Sequence, residues 1–126
     1  MYTIAKQFTF EAAHSLPHLP EGHKCRNTHG HSYKVELVLA GSVDKNWFVV
    51  DYGDLDPFKR WISDVWGHSN LNDLPFFKNE HGEKIPTTAE AICAVMFTEI
   101  KNRWPKWPLF AVRVHETATT WAEFRP

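Results

Sequence analysis

From Tyr2 to Glu11 the chain alternates: Tyr2, Ile4, Phe8 and Phe10 point one way, and Thr3, Gln7, Thr9 and Glu11 the other. That is the pattern of a half-buried strand. A second strand runs from His31 to about Ala40, with Tyr33, Val35, Leu37 and Leu39 on one face. If the two pair antiparallel, the end of the first lies beside the start of the second. His14 stands just past the first strand and His31 opens the second, so residues 17 positions apart in sequence become neighbours.

Five of the eight histidines fall between positions 14 and 31. In His29-Gly30-His31 the imidazoles are two apart at the mouth of a strand and share a face, so both can converge on one ion. Gly30 is expected to keep a side chain from blocking the backbone between them. With His14 at the matching strand end, three imidazoles surround an open fourth position, the pattern of a catalytic zinc site rather than a closed structural one. His18 and His23 could substitute as ligands, but both sit mid-loop, where nothing fixes their direction.

The two thiols differ in setting. Cys93 lies in Ala91-Ile92-Cys93-Ala94-Val95-Met96-Phe97 and reads as core. Cys25 lies in Gly22-His23-Lys24-Cys25-Arg26-Asn27, a polar loop whose cationic neighbours favour thiolate, and is a candidate nucleophile or base. This loop, about Ser15 to Gly30, is long for a compact domain, and such loops are often functional.

Beyond the second strand, Gly41 to Asn46 reads as a turn and Trp47-Phe48-Val49-Val50 as a short extended piece. Leu55, Phe58, Ile62 and Val65 then fall at helical spacing, and Gly67 stops that helix. Pro86-Thr87-Thr88-Ala89-Glu90 fits a capping box with Thr87 as N-cap and Glu90 three positions on. Ile92, Met96, Ile100 and Trp104 form the buried stripe of the helix it opens, and Pro105 closes it. Leu109 to Glu116 and Trp121 to Phe124 are two final strands. The expected order ββααββ makes an α+β domain, an antiparallel four-stranded sheet with two helices on one face.

At 126 residues one domain spanning 1–126 is expected. A net charge of −1 argues against broad electrostatic binding to nucleic acid or anionic membrane. No apolar run approaches the ~18 residues of a membrane span and no signal segment is read at either end, so a cytoplasmic location is the expectation. Six tryptophans and nine phenylalanines, with open sheet edges, favour a homo-oligomer.

Phe10-Glu11-Ala12-Ala13-His14 and Cys25-Arg26-Asn27-Thr28-His29-Gly30-His31-Ser32-Tyr33 resemble the 6-pyruvoyl-tetrahydropterin synthase and 6-carboxytetrahydropterin synthase family. Val50-Asp51-Tyr52-Gly53-Asp54-Leu55 is similar to its "V-x-D-F-x-x-L" segment, and Gly67-His68-Ser69-Asn70-Leu71-Asn72 to "D-H-x-x-L-N". Pro86 to Glu90 and Val112 to Thr117 match two further stretches, so the likeness runs through the whole chain in order.

The resemblance implies the tunnelling fold, ββααββ, with trimers stacked into homohexamers, and Zn²⁺ on His14, His29 and His31. It implies Cys25 as general base, His68 and Glu116 as its relay partners, and Glu116, Thr87 and Thr88 as contacts to a pterin substrate. The short spacing from Cys25 to His29 resembles the carboxy-forming branch. That branch turns 7,8-dihydroneopterin triphosphate into 6-carboxytetrahydropterin, acetaldehyde and triphosphate, feeding synthesis of queuosine or another deazapurine. A pyruvoyl-type elimination and a non-catalytic pterin-binding homologue are the alternatives.

Gly67 stands where the family carries Asp before the relay histidine. It is expected in a left-handed helix terminus, where Asp costs more than Gly, so restoring Asp is expected to raise turnover about tenfold with some loss of stability.

Overall fold

Both alternating runs are strands, and both reach further than the alternation of apolar residues suggests. The computed structural model describes residues 1–126, with β1 at Tyr2–His14 and β2 at His29–Gly41. They pair antiparallel without interruption from Tyr2↔Gly41 to His14↔His29. The inward stripe is Phe8, Phe10, Ala12 and His14 on β1 and Tyr33, Val35, Leu37 and Leu39 on β2, all buried. His14 was expected just beyond the strand. It lies within it, because the inward phase continues through the small Ala12.

β3 (Leu109–His115) and β4 (Trp121–Phe124) complete an antiparallel sheet of order β1-β2-β3-β4. A register shift between Val38 and Leu39 bends the β2–β3 ladder. The free edge of β1 is covered only at its end: Ala13 N–H donates to Ser69 O at 2.9 Å and His68 N–H to Glu11 O at 2.6 Å. A bridge between Ala13 and Asn70 continues this pairing.

Four local expectations are corrected. Trp47 to Val50 forms no strand: Trp47 adopts φ 65°, and the Asp44 carboxylate accepts from the N–H groups of Asn46 and Phe48, closing a turn. The first helix is a six-residue α1 (Asp56–Trp61) continued by a π turn, Ile62–Trp66. That wider turn moves the buried position from the expected Val65 to Trp66, which is fully enclosed. For the second helix, α2 (Ala89–Arg103), the N-cap is Thr88 and not Thr87: Thr88 Oγ1 accepts from Ala91 N–H at 3.2 Å. Glu90 is then one position too early for a capping box, and Thr87 is left free to face inward.

The fourth concerns Gly67, which is extended (φ −63°, ψ 135°), while the left-handed residue is His68 (φ 57°). Gly67 N–H closes the π turn on Ile62 O at 2.7 Å, and a Cβ built there would meet the Ser63 carbonyl oxygen at 3.0 Å. Backbone cannot swing aside as a side chain can. Gly67→Asp is therefore expected to cost about 1–3 kcal/mol, as overpacking does, through this contact and not through a left-handed backbone. Denaturant midpoints of the two proteins measure this, and equal midpoints would show that the π turn yields to a side chain.

The core is the inward face of the sheet closed by α1, the π turn and α2, with Ile92, Met96 and Ile100 fully buried. Cys93 is 1% exposed within it. No helix is long and apolar enough to cross a membrane.

Candidate metal centre

The inward stripe that builds the core ends in histidine on both long strands. His14 sits directly opposite His29, and His31 opposite Ala12 one step along the same face. His14 thus has His29 as its cross-strand partner, with His31 diagonal to it. The three rings stand edge-to-face, with centroids 4.7, 5.1 and 4.9 Å apart. One ring nitrogen from each lies within 4.8 Å of the other two.

Hydrogen bonds fix how two of these rings are held. His14, 1% exposed, places Nδ1 2.8 Å from the Thr87 carbonyl oxygen. An oxygen with no proton can only accept, so Nδ1 carries the hydrogen and Nε2 the lone pair. His29 repeats the arrangement, with Nδ1 2.7 Å from Asn27 O. Anchoring one imidazole nitrogen on a carbonyl to free the other is how metal-ligating histidines are oriented.

Burial pushes the His14 pKa below the ordinary histidine value, and His29 and His31 add to that; the Thr87 carbonyl and the Glu116 charge oppose it. The ring is therefore neutral at neutral pH. Its Nε2 is buried and has no hydrogen-bond partner. Glu116 Oε1 lies 3.4 Å from it and 3.8 Å from His31 Nε2. With His14 neutral, a nitrogen lone pair faces a carboxylate oxygen with no proton between them, which is no ion pair. A cation among the three imidazoles would satisfy both, and imidazole suits several first-row metals. The residues present fit a metal ion.

Beneath the histidines, Tyr33 stacks on Phe10 at 4.9 Å, and its buried hydroxyl has no partner. Burial, then the Glu116 charge, raises its pKa well above the usual phenol value. Its place in the strand alternation marked Tyr33 only as core.

The other expected residues lie around this cluster in different ways. Cys25 is half-buried on a 3₁₀ turn, Lys24–Arg26. Its carbonyl accepts from Leu16 N–H at 2.8 Å, and Arg26 spans the loop to the Pro17 and Leu19 carbonyls, each at 2.7 Å. The thiol is thus carried on a loop tied back to the end of β1. His18 and His23 stay exposed, and His23 Nδ1 accepts from Cys25 N–H, so neither joins the ligand cluster.

His68 is exposed and borders a cleft of 410 Å³ with Glu11, Ala13, Gly30, His31 and Ser32. It makes no side-chain hydrogen bond to the three histidines within one chain. Gly30 faces this cleft, and a Cβ there would meet Ala12 O at an ordinary 3.6 Å, so no steric need of the two histidines requires glycine. Thr87 is 2% exposed with its hydroxyl turned inward, and Thr88 is committed to capping α2.

The family model described as 6-pyruvoyl tetrahydropterin synthase matches residues 3–126. The 6-carboxy-5,6,7,8-tetrahydropterin synthase of Synechocystis is 35% identical over 133 residues, covering 98% of this chain and 93% of that protein. The protein of the same name from Haemophilus influenzae is 29% identical over 145 residues, covering 99% of each. Among solved structures, Caenorhabditis elegans 6-pyruvoyl tetrahydropterin synthase superposes with a TM-score of 0.81 at 26% identity, covering 99% of this chain and 95% of that one.

Proposed function

The chain belongs to the 6-pyruvoyl tetrahydropterin synthase family, and from that premise we propose that it is a zinc-dependent 6-carboxy-5,6,7,8-tetrahydropterin synthase, an enzyme of the lyase type. Its substrate in this reading is 7,8-dihydroneopterin triphosphate, and its products are 6-carboxytetrahydropterin, acetaldehyde and triphosphate. The observation that carries the reading is the orphaned Nε2 of His14, held beside His29, His31 and Glu116. The carboxy-forming names of the Synechocystis and Haemophilus relatives favour this branch.

His14, His29 and His31 would hold zinc with a coordination position left for substrate. Bound there, zinc supplies Lewis-acid polarisation of the side-chain oxygens, which acidifies them and the neighbouring C–H. Cys25 takes up a proton as thiolate, and His68 passes protons onward. Glu116 accepts two parallel hydrogen bonds from the pterin amino group and ring N–H. Its position against His14 and His31 would then keep the pterin close to the metal ligands. Thr87 and Thr88 would support the site through His14 and α2 rather than through free hydroxyls.

His68 opens on a cleft that it shares with His31 but makes no hydrogen bond to the histidine cluster, and β1 leaves most of its outer edge unpaired. Both fit a homohexamer, a dimer of trimers, in which a second copy completes the site. The pathway served is one consuming 6-carboxytetrahydropterin, such as queuosine synthesis, in the cytoplasm.

Incubating zinc-loaded protein with dihydroneopterin triphosphate and weighing the products tests the reaction. The carboxy product with acetaldehyde is expected. A 6-pyruvoyl product would move the chain to the other branch, and no consumption would leave a pterin-binding role only. Light scattering on the same preparation should exceed the 14.7 kDa of one chain severalfold, and a monomer would sink the shared site.

A further inference from the structure

His14 is held through a chain of hydrogen bonds that begins on main-chain atoms and passes through a residue outside the cluster. Ser15 N–H donates to Asn72 Oδ1 at 3.0 Å, and Asn72 Nδ2 donates to Ser15 O at 2.9 Å. The backbone donor and acceptor of Ser15 leave the amide of Asn72 one orientation. Its Oδ1 can only accept, so Thr87 Oγ1, 3.3 Å away, must spend its proton there or on Ser15 O at 3.5 Å. The hydroxyl then presents lone pairs to His14 Nδ1, also 3.3 Å away, alongside the Thr87 carbonyl at 2.8 Å. Every link calls for hydrogen on Nδ1 and a lone pair on Nε2.

We infer that Asn72 is a positioning residue for the metal centre: by clamping Ser15 and Thr87 together it fixes the tautomer and aim of His14. The inference rests on the reading of the three histidines as a metal site. Asn72 is only half-buried and caps nothing; its own N–H is held by Asn70 Oδ1 at 3.1 Å. Its side chain joins three segments distant in sequence: the residue after a ligand, the turn after His68, and the lead into α2. Deleting it leaves the Ser15 N–H without a partner, Ser15 O with only the long contact to Thr87 Oγ1, and Thr87 free to drift, while the ligand set itself stays intact. Supporting partners of this kind are worth roughly 10–100-fold in metal affinity.

The test is chelator competition for Zn²⁺, with the Co²⁺ absorption spectrum as a second readout, on wild type, Asn72→Ala, Thr87→Val and the core truncation Ile100→Val. Asn72→Ala should bind Zn²⁺ about 10–100-fold more weakly and alter the Co²⁺ spectrum. Thr87→Val, nearly isosteric, should weaken binding in the same direction by less. Ile100→Val should lower the melting point with affinity unchanged, separating stability from positioning. If Asn72→Ala fails to fold, unchanged affinity in Thr87→Val alone overturns the inference. Unchanged affinity in a folded Asn72→Ala does so too. Failure of wild type to bind any metal would instead reject the metal reading beneath it.

Discussion

His29→Ala and His31→Ala are each expected to take up far less zinc than the wild type while the domain stays folded. Both side chains sit at the strand mouth with partial exposure, so their removal opens no sealed cavity. Zinc held by four protein ligands is worth about 10–16 kcal/mol, or roughly 3 kcal/mol per ligand. Losing one of three should therefore weaken binding on the order of 10²–10³-fold. Metal analysis after dialysis against a weak chelator reads this directly. Full zinc in both variants would remove His29 and His31 from the ligand set and return His18 and His23 to consideration. His14→Ala is a poorer test: it also strands the Thr87 carbonyl and empties a site that is 1% exposed.

Cys25→Ala is expected to lower turnover by about 10²–10⁴-fold, the scale of a positioned proton acceptor, with zinc content and melting point unchanged. Cys93→Ala should do the reverse. Cys93 is 1% exposed; burial pushes its thiol up to about 11, and its Sγ donates to Glu90 O at 3.2 Å. It is an inert packing group whose loss leaves a small cavity and costs stability of about 1 kcal/mol. Turnover and denaturation curves on both variants settle the division. Equal activity losses, or normal turnover in Cys25→Ala, would end it.

The strand alternation carried most of this fold. Phe8, Phe10, Tyr33, Val35, Leu37 and Leu39 are all where period-two reading puts them, and that phase delivers His14, His29 and His31 to one face. The sequence could not show events that depend on hydrogen bonds between distant segments. Whether Thr87 or Thr88 caps α2 turns on Thr87 being drawn inward by His14 and Asn72, and both threonines suit a cap equally. The π turn likewise escapes a helical count, because its one-residue widening seats Trp66 against Phe10, Trp61 and Phe76. In the sequence Asn72 stands out only as part of a family stretch, since nothing local says that its amide meets Ser15. Glu116 is a candidate through that likeness alone; its approach to the imidazoles is a product of sheet order.

The unbroken ladder from Tyr2↔Gly41 to His14↔His29 has a bearing on how the chain finds its native alignment. The segment joining the two strands, Ser15 to Thr28, is too long for turn geometry to dictate which residues meet. A slip of one residue in either strand would turn its histidines to the opposite face and break the cluster. A slip of two that sets His14 opposite Asn27 would restore the face but leave His31 four residues, about 13 Å, away along the strands. Only alignments that set His14 opposite His29 or His31 gather three imidazoles, so an ion held by them would favour those pairings over the other slips. Refolding with zinc present should thus leave fewer molecules paired through the wrong face, so that an ion held by the three imidazoles would act as a proofreader of the hairpin.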